Sequence, residues 1–301
     1  MPLSLRRLSG PLLVVLAFLS APWLHGQPGR PGGTTSGPWE WRTEFSGAGS
    51  ADIAEGTRAL GRIQHSIFGG ELTRRVKLDG DSSVSFGGAW RRLDLSGSTA
   101  DVPDRLQSFV LRLGYDRQLS PKWSLGVDAS PGFYSDFKDI DGSDFNAPLS
   151  LRLLSASSRD FQWGIALLVD PWRPSPIIGG PGVRWQFAPG WTFVGFPPEP
   201  RVEYAVSKTL SLHAGAGLRG GTFRVAEDFG RRRGRPLLDN QRVDFREIGL
   251  SVGGRWQLTP GLTAQASVGW MLDRRFEYED RNLLLNGDGA ASFVLSLRGG
   301  F

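Results

Sequence analysis

From Trp39 to the carboxyl terminus, large apolar residues alternate with small or polar ones at a period of two, the repeat of an extended chain with unlike faces. Trp39, Trp41 and Phe45 oppose Glu40, Arg42 and Glu44; Phe109, Leu111, Leu113 and Tyr115 oppose Ser108, Arg112, Gly114 and Asp116. The stretches 123–130, 161–170, 210–219, 247–257 and 262–273 repeat the pattern. Each run is near ten residues, longer than most soluble strands and suited to a tilted strand crossing a bilayer. The pattern predicts an all-β chain.

Short turns carrying proline or small polar residues sit at 119–123, 188–191, 206–210 and 258–262. Longer, more charged connections occur at 135–146, 226–241 and 274–288. The two kinds alternate, which predicts antiparallel up-and-down strands with one kind of connection at each end. Counting back from Phe301 gives fourteen strands. The stretch 60–78 is ambiguous in phase and 174–200 is proline-rich, so twelve is the alternative.

Both chain ends add information. Phe293, Leu295, Leu297 and Phe301 share one phase, so the chain finishes an apolar stripe on an aromatic carboxylate. Chain ends are usually polar and frayed, and this one reads as anchored in something apolar. At the other end, Arg6 and Arg7 precede the apolar run 12–19 and the small residues Ser20, Ala21 and Gly26, which reads as a secretory signal peptide over 1–26, cut after Ala21 or Gly26. A flexible Pro/Gly/Ser/Thr linker over 27–38 follows, and 39–301 forms one unit. No cysteine is present, which excludes a lipoprotein anchor, disulfides and thiolate metal sites.

In its closing stripe, its ten-residue alternation and its alternating connections, the chain resembles Gram-negative outer-membrane β-barrels, of a porin-like kind whose function is unknown. The resemblance implies a transmembrane antiparallel up-and-down barrel in the bacterial outer membrane, surrounded by lipid and lipopolysaccharide. It also implies that Phe293, Leu295, Leu297 and Phe301 form the signal read by the barrel-assembly machinery. Short turns would then lie in the periplasm and long loops outside. Tyr115, Trp123, Phe187, Trp191, Trp256 and Phe301 fall near short turns, and Phe133, Trp172, Phe223, Trp270 and Phe276 near long loops, as two interfacial girdles would.

Charge sharpens the expected lumen. The formal net charge is +5, and of the 35 lysines and arginines only Lys77, Lys122, Lys138 and Lys208 are lysine. If the apolar phase faces lipid, Arg42, Arg91, Arg112, Arg152, Arg184, Arg201, Arg219, Arg255 and Arg298 point inward, with Glu40, Glu44, Asp116, Asp128, Asp170, Glu203, Glu247 and Asp273. That near-balance predicts a lumen laced by ion pairs between strands. The run Arg231, Arg232, Arg233 and Arg235 falls in an outer loop, either simply solvated or placed to meet lipopolysaccharide phosphates. Nucleic acid does not fit that location.

Candidate chemistry is sparse. Only His65 and His213 follow the signal peptide, and although His213 shares a strand face with Ser211, no nucleophile motif surrounds either. No cluster has metal-ligand spacing, and the glycine-rich stretch 215–221 lies within strand alternation, so it is no phosphate loop. No catalytic, cofactor or metal residue is therefore assigned. The expectation is a passive porin-like channel for small solutes with a charge-balanced lumen. The alternatives are a closed barrel acting through its outer loops, then a lipase- or protease-like barrel, then a soluble secreted β-protein.

Overall fold

A computed structural model of the protein describes residues 38–301 apart from 99, 100 and 174. The expected signal peptide and all but the last linker residue lie outside the described residues. The described chain is all-β and closes into a single antiparallel barrel of fourteen strands. These are β1 (Trp39–Glu55), β2 (Arg58–Lys77), β3 (Ser82–Ser98), β4 (Arg105–Gln118) and β5 (Trp123–Ala129, resuming as Gly132–Ser135). Then come β6 (Phe145–Asn146, resuming as Leu149–Ala156), β7 (Phe161–Val169), β8 (Ile177–Ala188), β9 (Trp191–Val194) and β10 (Arg201–Ala205). The last four are β11 (Leu210–Arg224), β12 (Arg242–Thr259), β13 (Leu262–Tyr278) and β14 (Leu283–Gly287, resuming as Ala290–Gly300). The seam pairs β14 with β1, from Gly300 opposite Glu40 to Ser292 opposite Ala48. The fourteen-strand count stands, and the ambiguous stretch 60–78 is β2.

At the end that carries Phe301, the connections are 78–81, 119–122, 157–160, 189–190, 206–209 and 260–261. In four of them a side-chain oxygen, of Asp79, Ser120, Ser158 or Ser207, accepts backbone N–H groups two or three residues on and fixes the reversal. The opposite end carries all the long connections, among them 136–144 and 225–241, but also short ones at 56–57 and 279–282, so the expected sorting holds for the long connections alone. The expected loop at 274–288 is mostly strand: β13 runs to Tyr278 and β14 starts at Leu283. Several strands are much longer than ten residues, with β2 reaching 20 and β12 reaching 18.

The extra length has a different polarity from the rest. Near the Phe301 end the outward side chains are apolar and exposed, including Phe86, Phe109, Leu111, Leu113, Leu250, Val252, Val268, Trp270 and Leu272. About ten residues of strand at ~3.4 Å each, tilted ~40°, cover roughly 25 Å, the height of a lipid-facing band. Beyond that band the outward positions become polar: Gln64 bonds Ser96 at 3.2 Å, Asp94 takes Arg92 at 2.6 Å and Arg105 at 3.1 Å, and Arg275 meets Asp273 at 2.8 Å. The inward positions become apolar at the same level. Ile53, Ile63, Ile67, Leu93, Leu95, Leu106, Phe245, Phe276, Tyr278 and Leu285 are buried in one core. The same strands are thus inside-out in the band and conventionally polar above it.

The upper part is also narrower. The second half of β5 turns across to β11, where Ser135 faces Arg224 in a parallel bridge, Asp136 N donates to Arg224 O at 3.1 Å, and Asp136 Oδ2 accepts from Ala226 N at 3.2 Å. This chord leaves the short strands β6–β10 outside and rings a neck with the nine strands β1–β5 and β11–β14. The long loop 225–241 caps the neck by adding Val225, Ala226, Phe229 and Leu238 to its core. The expected outer girdle is corrected accordingly. Phe223 and Phe276 are 5% and 0% exposed and fill the neck, whereas Trp270, at 52%, does face outward. At the other end the belt is present, with Trp123 on Trp163 at 5.4 Å, Trp191 on Tyr204 at 4.7 Å, and Phe187, Trp256 and Phe301 exposed.

Candidate functional site: the polar lumen beneath a filled neck

Below the neck the inward phase is polar. Along one ladder row Glu44 lies opposite Gly69, Gly69 opposite Arg91, and Arg91 opposite Ser108. Glycine at the middle position leaves no side chain between Arg91 and Glu44, so the guanidinium and the carboxylate share one space. Next to them, Arg274 is 0% exposed. Its Nε meets Glu247 Oε1 at 2.9 Å, its Nη1 donates to Ile63 O at 3.1 Å, and its Nη2 lies 2.7 Å from His65 Nδ1. His65 Nδ1 is also 3.1 Å from Glu247. Arg42 and Arg219 reach Glu44 at 3.1 and 3.7 Å. These groups form a charged belt that floors the neck.

Toward the Phe301 end the remaining inward charges pair locally. Arg152 meets Asp128 at 2.8 Å and Asp116 at 3.4 Å, Arg112 meets Glu71 at 3.7 Å, and Arg298 meets Glu40 at 2.9 Å. On the opposite wall Glu203 takes Arg201 at 2.8 Å and Arg255 at 3.4 Å, with Arg184 nearby, opposite Gln162. Two cavities of about 90 and 110 Å³ lie between these walls, and Arg42 lines both.

At one place the register departs from simple alternation. A register shift between Ile248 and Gly249 on β12 sets Ile248 opposite Asp273 and Gly249 opposite Met271, so Leu272 is bulged out of the ladder. The bulge moves Asp273 to the outer face, beside Arg275, and turns Arg274 inward. Simple alternation assigned the wrong member of the pair. Trading an inward carboxylate for an inward guanidinium tips the near-balance toward arginine. Asp170 sits higher, in the connection that roofs β7 and β8. Its carboxylate accepts from Asn146 Nδ2 at 2.8 Å and meets Arg173 at 3.3 Å, and Arg173 also reaches Asp244 at 3.6 Å. A small cavity joins this roof to the belt, lined by Arg91, Ser108, Tyr134, Asp170 and Thr222.

The arginine run in 225–241 lies at the end opposite Phe301, with its charges engaged. Arg231 meets Asp239 at 2.8 Å, Arg232 meets Asp228 at 3.0 Å, Arg233 meets Asp104 at 2.6 Å, and Arg235 meets Glu55 and Asp101 at 2.8 Å each. The last three contacts tie the cap to β1 and to the β3–β4 connection. Burial pushes the Asp101 carboxyl above the ordinary aspartate range, with Arg235 opposing that shift. Burial likewise raises Asp136, against the backbone N–H groups of Ala226 and Lys138. His213 and Ser211 share the inward face of β11, and no hydrogen bond is found between them among the described residues. Nor do the described residues include a group of three or more His, Asp or Glu placed to hold a metal ion.

The model of a family described as Domain of unknown function (DUF6268) matches residues 79–285. No curated protein matches the chain. Among solved structures, the chain is similar to the COG4313 outer membrane channel from Pseudomonas putida F1, at 11% identity over 88% of this chain and 96% of that one, with a TM-score of 0.48. It is similar to the Pseudomonas putida toluene transporter TodX at 10% identity over 88% and 90%, with a TM-score of 0.44. It is also similar to the translocator domain of the autotransporter NalP from Neisseria meningitidis, at 10% identity over 88% of each chain and a TM-score of 0.38. Likeness this distant carries no argument about cargo.

Proposed function

We propose that this chain, which belongs to the DUF6268 family, is an outer-membrane channel for small polar solutes, shut at rest, whose route leaves the barrel axis beneath the neck. Residence in the outer membrane is supported by the exposed apolar band and the aromatic belt at the Phe301 end. The observation that carries the rest is the division of the interior. The neck is filled by large apolar side chains fixed on strands, and the polar groups continue sideways from the belt through Arg91 to Asp170 and Arg173. A hydrated solute loses its water at the neck and finds no partner there, whereas charged groups substitute for water along the side path. Opening then requires the roof formed by Asp170, Trp172 and Arg173 to move, and the neck stays filled. Ion pairs lace the walls of this path, and the belt adds an excess of arginine. The arginine run acts as a clasp on the cap, and lipopolysaccharide phosphates meet it only by displacing its acidic partners.

Single-channel recording in planar bilayers tests this reading. The wild-type barrel should give rare, brief openings. Arg173→Ala, which removes the roof contacts to Asp170 and Asp244, should raise the open fraction at least ten-fold. A steady large current from the wild type speaks against the shut state. A silent Arg173→Ala barrel with normal heat-modifiable gel mobility leaves the closed, structural barrel as the better reading.

A further inference from the structure

The belt under the neck carries more cation than anion. Arg42, Arg91, Arg219 and Arg274 gather around the carboxylates of Glu44 and Glu247. Two of the four guanidiniums are poorly satisfied. Arg91 Nε is buried without a hydrogen-bond partner, and the nearest carboxylate oxygen to Arg219 is 3.7 Å away, beyond hydrogen-bond length. A guanidinium surplus in a partly dehydrated interior costs free energy that a bound anion offsets.

The adjoining cavity of about 90 Å³ is shaped for one class of anion. Arg42 and Arg219 line it with Glu44 and Glu247, Arg201 and Glu199 line it as a pair 3.5 Å apart, and Ser292 and Ser296 add hydroxyls. Ala48 and Met271, which belong to a small buried apolar cluster, also line it. Gly217 lies on the lining, and a Cβ added there would meet nothing within 4 Å, so the space beside it is open.

The geometry points to a binding site for a short-chain aliphatic monocarboxylate, its carboxylate forked on Arg219 with help from Arg42 and its tail against Ala48 and Met271. Arginine's planar fork matches a carboxylate bidentately, which a hydrated inorganic anion exploits less well. This inference names the solute class of the proposed channel and rests on that reading for its use. Its measurement needs no current, so a silent barrel that binds carboxylate fails only the channel reading.

The test is isothermal titration of the detergent-solubilised full barrel with butyrate, butylammonium and chloride. Butyrate should bind, butylammonium should not, and chloride should bind more weakly than butyrate. Arg219→Gln removes the charged fork and Gly217→Val fills the open space; each should weaken butyrate at least ten-fold while heat-modifiable mobility is retained. The site is overturned by absence of butyrate binding to the wild type, by butyrate affinity unchanged in both variants, or by chloride or butylammonium binding as tightly as butyrate.

Discussion

Arg274→Ala should destabilise the barrel by about 3–5 kcal/mol, the cost of breaking a buried ion pair by removing one member. The guanidinium is wholly buried and simultaneously engages Glu247, the Ile63 carbonyl and His65. Its removal takes from the 8%-exposed Glu247 side chain its 2.9 Å partner, leaving His65 at 3.1 Å as the nearest cationic group, and leaves the Ile63 carbonyl without that donor. The temperature at which the folded band converts to the unfolded one on a gel reports the change. Removing the stranded charge should restore much of the loss, so Arg274→Met combined with Glu247→Gln is expected to lie closer to wild type than Arg274→Ala. An unchanged conversion temperature in the alanine variant would show that the belt contributes little to stability.

The second large effect concerns assembly. Phe301 N donates to Trp39 O and Trp39 N to Phe301 O, both at 3.1 Å, so the terminal residue closes the last rung of the seam. Its ring, 65% exposed, continues the outward stripe of Phe293, Leu295 and Leu297. Two lost backbone hydrogen bonds cost about 1–3 kcal/mol together, too little to unfold a barrel with long hydrogen-bonded ladders. Deleting Phe301 should therefore leave a chain that refolds in detergent with nearly normal stability. In cells it should reach the outer membrane at well under a tenth of the wild-type level, because the lost element is the one that the barrel-assembly machinery is proposed to read. Normal outer-membrane levels of the truncated chain would remove that role.

The fold class and strand count are legible in the sequence because period-two alternation needs only local polarity. The stripes 109–115 and 262–272 state which face meets lipid without reference to any partner strand. Three features lie beyond such a reading. The neck is one: Val243, Phe245 and Glu247 share a phase, so the change from polar to apolar lumen is written in β12, but only a second strand carrying the same change turns it into a core. The β5–β11 chord is another, because Ser135 and Arg224 are far apart in sequence and no local pattern announces their bridge. The third is Arg274. A bulge at Leu272 shifts the phase of everything after it, and the sequence around it, Trp-Met-Leu-Asp-Arg-Arg-Phe, offers only a hint in placing two large apolar residues, Met271 and Leu272, side by side. The arginine run lies at the end opposite Phe301, and its partners Glu55, Asp101 and Asp104 come from other strand ends, which no local pattern announces.

The most direct test of the filled neck and the off-axis path uses the absence of native cysteine. Ser108→Cys places a thiol in the small cavity beside Arg91 and Asp170, and Phe276→Cys places one in the neck. A membrane-impermeant maleimide is applied to intact cells carrying each change, with and without Arg173→Ala. With the neck filled and the path off-axis, Arg173→Ala should expose Ser108→Cys to rapid labelling while Phe276→Cys stays protected in both backgrounds. Labelling of Phe276→Cys in the otherwise wild-type barrel, with Ser108→Cys protected throughout, would contradict that arrangement.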